Sequence, residues 1–190
     1  MENDVSDAEI SFYHGVMRHF EVDRIFHSSD FFHRETVLIT RTLQETFGSE
    51  YIHRAFFVSH ILLELTLDRI LINQHSSLLY SFYKHFEAKD VHELVALTEW
   101  VARQPLPGYG DFLKRFAEKK LLYNYSQWDF LIDVTRHIMH KVSIENTDYL
   151  LTDKFLAMIH SYEEGLRRRV PRALKGLEAM LSQKTFYSTE

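Results

Sequence analysis

Apolar side chains recur every three or four residues through most of the chain, and this spacing decides what it can fold into. It places one apolar stripe along a 3.6-residue helix, ready to bury against neighbours. Strand alternation of useful length is missing, as are hairpin turn pairs. With 6 glycines and 3 prolines in 190 residues, little interrupts the helical pattern. The periodicity predicts helices over about 7–26, 30–47, 50–73, 76–87, 90–103, 109–120, 124–142 and 148–182. The expected breaks have chemical causes. Ser28, Ser29 and Asp30 offer side-chain oxygens that cap a new helix, and Gly48-Ser49 supplies another break and cap. Pro105-Leu106-Pro107-Gly108 cannot stay helical, and Pro171 is expected to kink or split the last helix. The reading is one all-α domain over residues 1–190, a bundle of seven to nine helices with 1–6 flexible.

Charge and composition narrow the function classes. A formal net charge of -5 argues against general nucleic-acid binding, which needs an excess of lysine and arginine. The absence of cysteine removes disulfides, thiolate zinc sites and cysteine nucleophiles. The opening MENDVSDAEI is acidic and polar, unlike a signal peptide, and no apolar run approaches membrane-spanning length. A cytoplasmic protein without membrane partners is expected. The 12 histidines are many for this length.

Two ladders of metal-ligand types stand out. In HFEVDRIFH, His19, Asp23 and His27 recur every fourth residue; in HILLELTLD, His60, Glu64 and Asp68 do the same. Residues four apart share nearly one face of a helix. The second ladder lies on a helix that is apolar almost all round, which marks a buried one. A buried carboxylate needs a cation, a histidine or a metal. Facing helices that carry histidine and carboxylate ladders are how bundles build metal sites, and nitrogen and oxygen donors without sulfur suit Mn, Fe, Zn or Mg. The competing structural reading pairs these carboxylates with Arg24, Arg54 or Arg69 and needs no metal.

At these residues the chain resembles the acyl-carrier-protein phosphodiesterase family. The first signature of that family is a glycine shortly before His-x-x-x-Asp-x-x-Thr-Asp; here Gly15, His19 and Asp23 fall in register, and Phe26-His27 stands where the family has Thr-Asp. The second is Asp-x-x-x-Asp-His-Phe-Leu, matched by Glu64, Asp68, Arg69, Ile70 and Leu71. YNYSQWDFLIDVTRHIMHK and FLAMIHSYEEGLRRRVPRAL are similar to the later helices of the family. The family's Gly-Asp-Phe aspartate has no counterpart before Gly15, and Arg69 replaces its histidine. The resemblance implies a divergent HD-type helical fold and, with activity altered or lost, metal-dependent hydrolysis of the phosphodiester that joins phosphopantetheine to a carrier-protein serine. Manganese is the implied metal, with Zn or Fe as alternatives. Implied ligands are His19, Asp23, Glu64 and Asp68, with His27 and His60 one turn beyond. Asp68 would accept a proton or hold the metal, and Arg69 would clamp phosphate without acting as a base. Implied partners are an acidic carrier protein or a phosphodiester small molecule, and a homodimer is compatible with the reading.

Two other readings compete. One is a metal-binding bundle of the DNA-damage-inducible type, in which three histidines hold the metal; His60 in SHILLEL is faintly similar to that pattern. The other is a non-enzymatic interaction protein that keeps the fold. His137 and His140, spaced i,i+3, are candidate extra ligands or simply a polar face. Arg167, Arg168, Arg169 and Arg172 form a basic run suited to an acidic partner or to solvent. Tyr13, Tyr123, Tyr125 and Trp128 could line a pocket or fill a core. No phosphate-binding glycine loop, Gly-x-Ser-x-Gly or His-Glu-x-x-His is present.

Overall fold

The computed structural model describes residues 5–49, 52 and 54–185. Its fold is all-α, with no strand among the described residues. The helices are α1 (Asp7–His27), α2 (Asp30–Phe47), α3 (Ala55–Gln74), α4 (Ser76–Glu87), α5 (Val91–Ala102), α6 (Tyr109–Lys119), α7 (Trp128–Lys141) and α8 (Asp153–Thr185). Short 3-10 segments, Leu121–Ser126 and Asp148–Leu151, precede α7 and α8. The expected flexible start falls mostly on residues 1–4, outside the described residues.

Caps explain most boundaries. Ser29 has extended backbone before α2, and its hydroxyl accepts from the Phe32 N–H at 3.1 Å. Gly48, at φ 92°, ends α2 and donates its N–H to the Gln44 carbonyl, a left-handed stop that glycine takes without a Cβ clash. Asp90 caps α5, and the turn over 105–108 delivers Gly108 at φ 78° ahead of α6. Three expectations need correction. Helix α3 begins at Ala55 rather than 50, after Arg54 in the left-handed region at φ 54°; residues 50, 51 and 53 of that expected start lie outside the described residues. The stretches from 124 and from 148 are 3-10 turns before they become α-helix. Pro171 does not split the last helix: α8 runs through it for 33 residues. Proline removes one N–H and one backbone bond there, and packing of the turns before it, through Phe155, Ile159, Leu166 and Val170, holds the helix in register.

The chain divides into two compact units, and the change from one to the other, between residues 24 and 25, lies within α1. The first unit is residues 1–24 and 76–123. Tyr83 is its buried centre: it stacks on Tyr123 with ring centroids 5.6 Å apart, and its hydroxyl accepts from the Leu122 N–H at 3.0 Å. Phe82, Phe86, Phe112 and Phe116 continue the aromatic cluster. Tyr13 meets Trp100 edge to face, and Trp100 remains 40% exposed.

The second unit, residues 25–75 and 124–190, holds the main core. Helix α3 packs on α2, α7 and α8. Its apolar residues Val58, Leu62, Leu63 and Ile70 are buried, as its all-round apolar pattern predicts. Each such side chain contributes about 1.5–3 kcal/mol on leaving water. Where α3 runs beside α2, Thr40 donates to the Ser59 hydroxyl at 2.9 Å, and Ser59 donates onward to the Ala55 carbonyl. Among the described residues, no helix is long and apolar enough to cross a membrane.

Candidate metal centre

His27 is the last residue of α1. The helix stops there because Ser28 and Ser29 turn their hydroxyls back on the Ile25 and Phe26 carbonyls, at 3.2 and 2.6 Å, and the chain re-enters helix at Asp30. His60 and Glu64 sit one turn apart on α3. The buried Phe32 of α2 packs edge-on against both imidazoles, with centroids 4.8 Å from His27 and 4.9 Å from His60. One apolar ring thus fixes both ring planes, while the opposite side stays partly open: the three side chains are 28%, 32% and 41% exposed in the order His27, His60, Glu64.

The donor atoms form a nearly equilateral triangle. His27 Nε2 lies 2.9 Å from His60 Nε2, and each lies 3.0 Å from Glu64 Oε1. Protons cannot satisfy all three edges. The carboxylate oxygen only accepts, and each Nε2 either donates or accepts. If both nitrogens carry hydrogen, the His–His edge brings two N–H groups together. If one does, the other nitrogen and the carboxylate oppose lone pairs. Every assignment with neutral or singly protonated rings leaves one edge mismatched. Three lone pairs facing a common cation remove the conflict. Metal bonds of about 2.1 Å place cis ligands of an octahedron roughly 3.0 Å apart, close to the distances here. The residues therefore fit a divalent ion, with two imidazoles and one carboxylate on one face.

The other expected residues are placed differently. His19 and Asp23 precede His27 on α1 and belong to the first unit. Asp68 lies one turn beyond Glu64 on α3. Desolvation by packed neighbours, then the Glu64 charge, push its carboxyl up from 3.8 to about 6. Its surface still reaches solvent, so water tempers that crowding. Arg69 is committed elsewhere. Its Nε donates to Glu163 Oε2 of α8 at 3.1 Å, and its guanidinium lies over the Trp128 ring, 5.4 Å from the centroid. Trp128 Nε1 donates to the same Glu163 oxygen at 2.9 Å, and Arg167 reaches the other at 2.7 Å. Burial alone would raise the Glu163 carboxyl; the hydrogen bonds from Trp128 and Arg69, the Arg69 charge and the Arg167 bond together lower it. Arg54 is likewise spent, donating to the Val142 carbonyl at 3.2 Å and covering Phe57.

The arginine pairing expected as the alternative to metal is not what Arg69 and Arg54 make: Arg69 pairs with Glu163, outside the ladders, and Arg54 meets a backbone carbonyl. Sequence reasoning missed Glu163 and also Glu35, which is buried and receives Arg169 at 2.6 and 2.8 Å and the Tyr162 hydroxyl at 3.0 Å. Their signal was present: each falls within the apolar stripe of its helix, beside Phe32 and Ile39 in α2, and beside Ile159 and Leu166 in α8. His137 and His140 are both exposed on α7, with His140 turned 3.5 Å from Glu145, as a polar face requires.

The chain matches no family model, no curated protein and no solved structure.

Proposed function

We propose that this protein binds a divalent metal ion through His27, His60 and Glu64, and that the site belongs to a divergent phosphodiesterase-like hydrolase. The triangle of donor atoms carries the reading, because its mismatch without a cation disappears with one. His27 occupies the register of the Thr-Asp aspartate in the resembled family, and Glu64 that of the first aspartate of the second signature. The two signatures thus meet through substituted ligands. Mn(II) is the first candidate, with Zn(II) and Fe(II) suited to the same donors. A bound ion would lower the pKa of coordinated water and offset charge on a phosphoryl oxygen. Of the chain's own groups, Asp68 is the carboxylate one turn away that could take up a proton. A phosphodiester small molecule or an acidic phosphopantetheinylated carrier protein is the substrate class this reading names.

Arg69 favours a second reading. Its guanidinium is held by Glu163 and Trp128, so the position where the family has a histidine offers no group to a substrate. A metal-binding bundle of the DNA-damage-inducible type, or an interaction protein that uses the metal structurally, needs no such group.

Titration of metal-stripped protein with Mn(II) and Zn(II), followed by thermal melting, tests the site. At a hundred times its Kd an ion adds about 2.7 kcal/mol to native stability. Wild type should melt higher, and His60→Ala should not respond. No shift in wild type at millimolar metal, or an equal shift in His60→Ala, overturns the assignment. Metal-dependent cleavage of bis(4-nitrophenyl) phosphate or of a phosphopantetheinylated carrier protein would separate the hydrolase from the second reading.

A further inference from the structure

On the second unit, a groove of about 820 Å³ runs between the start of α2 and the C-terminal half of α8. That volume lies in the roughly 300–1,000 Å³ range of small-molecule sites. Its charge is opposite to that of the whole chain. Arg34, Arg168, Arg169 and Arg172 line it against two carboxylates, Asp30 and Glu35, on a protein of formal charge -5.

The four arginines are not equivalent. Arg169 is spent on buried Glu35, and Arg168 pairs with Glu164 one turn back. Arg34 donates only to the neutral Asp30 carbonyl, and Arg172 has no partner among the described residues. Two guanidinium groups therefore face the groove with no acid of their own. The first turn of α2, through Ser29 and Asp30, lines the same groove, and such a turn favours anions. The lining also holds apolar residues from both helices, Phe31 and Leu38 of α2 and Leu177 and Met180 of α8, with Leu38 and Met180 each 41% exposed. Isolated exposed apolar residues are ordinary, but these sit together beside unpaired cations.

From this juxtaposition we infer that the groove binds a single-chain amphiphilic anion, with a phosphate or carboxylate head on Arg34 and Arg172 and an alkyl or acyl chain along Leu38, Leu177 and Met180. A bidentate guanidinium suits either head, and the apolar wall requires the chain. The inference does not rest on the metal centre, since none of the three metal-site residues lines the groove.

Calorimetric titration of the metal-stripped full chain with decyl phosphate and with decanoate, each below its micellar concentration, tests it. Inorganic phosphate, decanol and anionic phospholipid vesicles serve as separate arms. Either decyl probe should bind, and neither inorganic phosphate nor decanol should bind comparably. An Arg34→Gln, Arg172→Gln double variant should keep its helical circular dichroism and lose about ten-fold or more in affinity, as expected when two charge-assisted contacts go. Leu177→Asp should weaken the decyl probes. The idea is overturned if neither decyl probe binds wild type, if the double variant binds equally well, if inorganic phosphate or decanol binds as tightly as the amphiphiles, or if only vesicles bind.

Discussion

Glu64 and Glu163 are carboxylates on two helices packed together in the second unit, and they are completed in opposite ways. Glu163 is buried and receives a tryptophan N–H and two guanidinium groups. Every one of those donors always carries its hydrogen, so both Glu163 oxygens are satisfied without a cation, although Arg69 Nη1 is buried there without a hydrogen-bond partner. Glu64 is 41% exposed and meets two imidazoles whose hydrogens cannot satisfy all three edges of the triangle. Five residues along α3, Arg69 serves the closed cluster and Glu64 the open one. A helix can thus carry a structural ion pair on one side and a ligand-ready triangle on another, and donor chemistry distinguishes them better than charge does.

The largest effect should come from opening the closed cluster. Glu163→Ala leaves Arg69 enclosed without its acid, and losing one partner of a buried pair costs about 3–5 kcal/mol. For a chain of this size that is a fall of roughly 10 °C in Tm, read by calorimetry. The same cluster should set the acid limit. The Glu163 carboxyl lies below its ordinary 4.5 in the folded protein. Its contribution is therefore present above that value and is lost as pH falls through the folded one. Glu163→Gln should flatten that part of the acid unfolding curve; an unchanged curve and an unchanged Tm in Glu163→Ala would dissolve the contrast.

A smaller effect is expected at Asp68, read on metal-stripped protein. Its carboxyl is raised from 3.8 to about 6, so the folded state favours the protonated form. The stability this lends is full below 3.8 and disappears as pH rises through about 6. Asp68→Asn should therefore melt above wild type at pH 8, by about 2 °C once solvent screening is allowed for, and the gap should close toward pH 4. A gap that is constant with pH would show that ionisation at Asp68 is not its source.

The smallest effect should be that of Glu64→Gln without metal. An exposed pair contributes about 0–1 kcal/mol, so Tm should move little. With Mn(II) present the variant should lose the metal-induced rise that wild type shows. A large metal-free loss would mean that Glu64 belongs with Glu163 as a structural group.

The ladders were legible because i,i+4 spacing follows directly from helix geometry. What spacing leaves open is which rungs meet. His27 reaches His60 and Glu64 because α1 ends there and α2 turns back with Phe32 behind both rings. That depends on a helix end and on packing between segments more than thirty residues apart in sequence. The fate of Arg69 was hidden for a like reason: its acid lies 94 residues away and carries the same letter as any solvated glutamate. Helix α3 was readable as buried because almost every face is apolar. Its first turn was not, because Arg54 takes a left-handed backbone that no propensity favours. Continuity through Pro171 is likewise a tertiary effect, where packing overrides a local breaker.

The chain's two tryptophans fall one in each unit. Trp100 is 40% exposed beside Tyr13, and Trp128 is 6% exposed with its indole N–H on Glu163 and the His160 ring 6.0 Å away. Unaltered protein therefore carries two fluorophores of contrasting exposure, and Trp128 is expected to emit to the blue of Trp100. Replacing either with phenylalanine leaves a lamp in a single unit. Loss of the Glu163 cluster would then be visible as a red shift of the Trp128 band, and whether the aromatic cluster around Tyr83 melts with it or separately becomes a matter of comparing two emission curves.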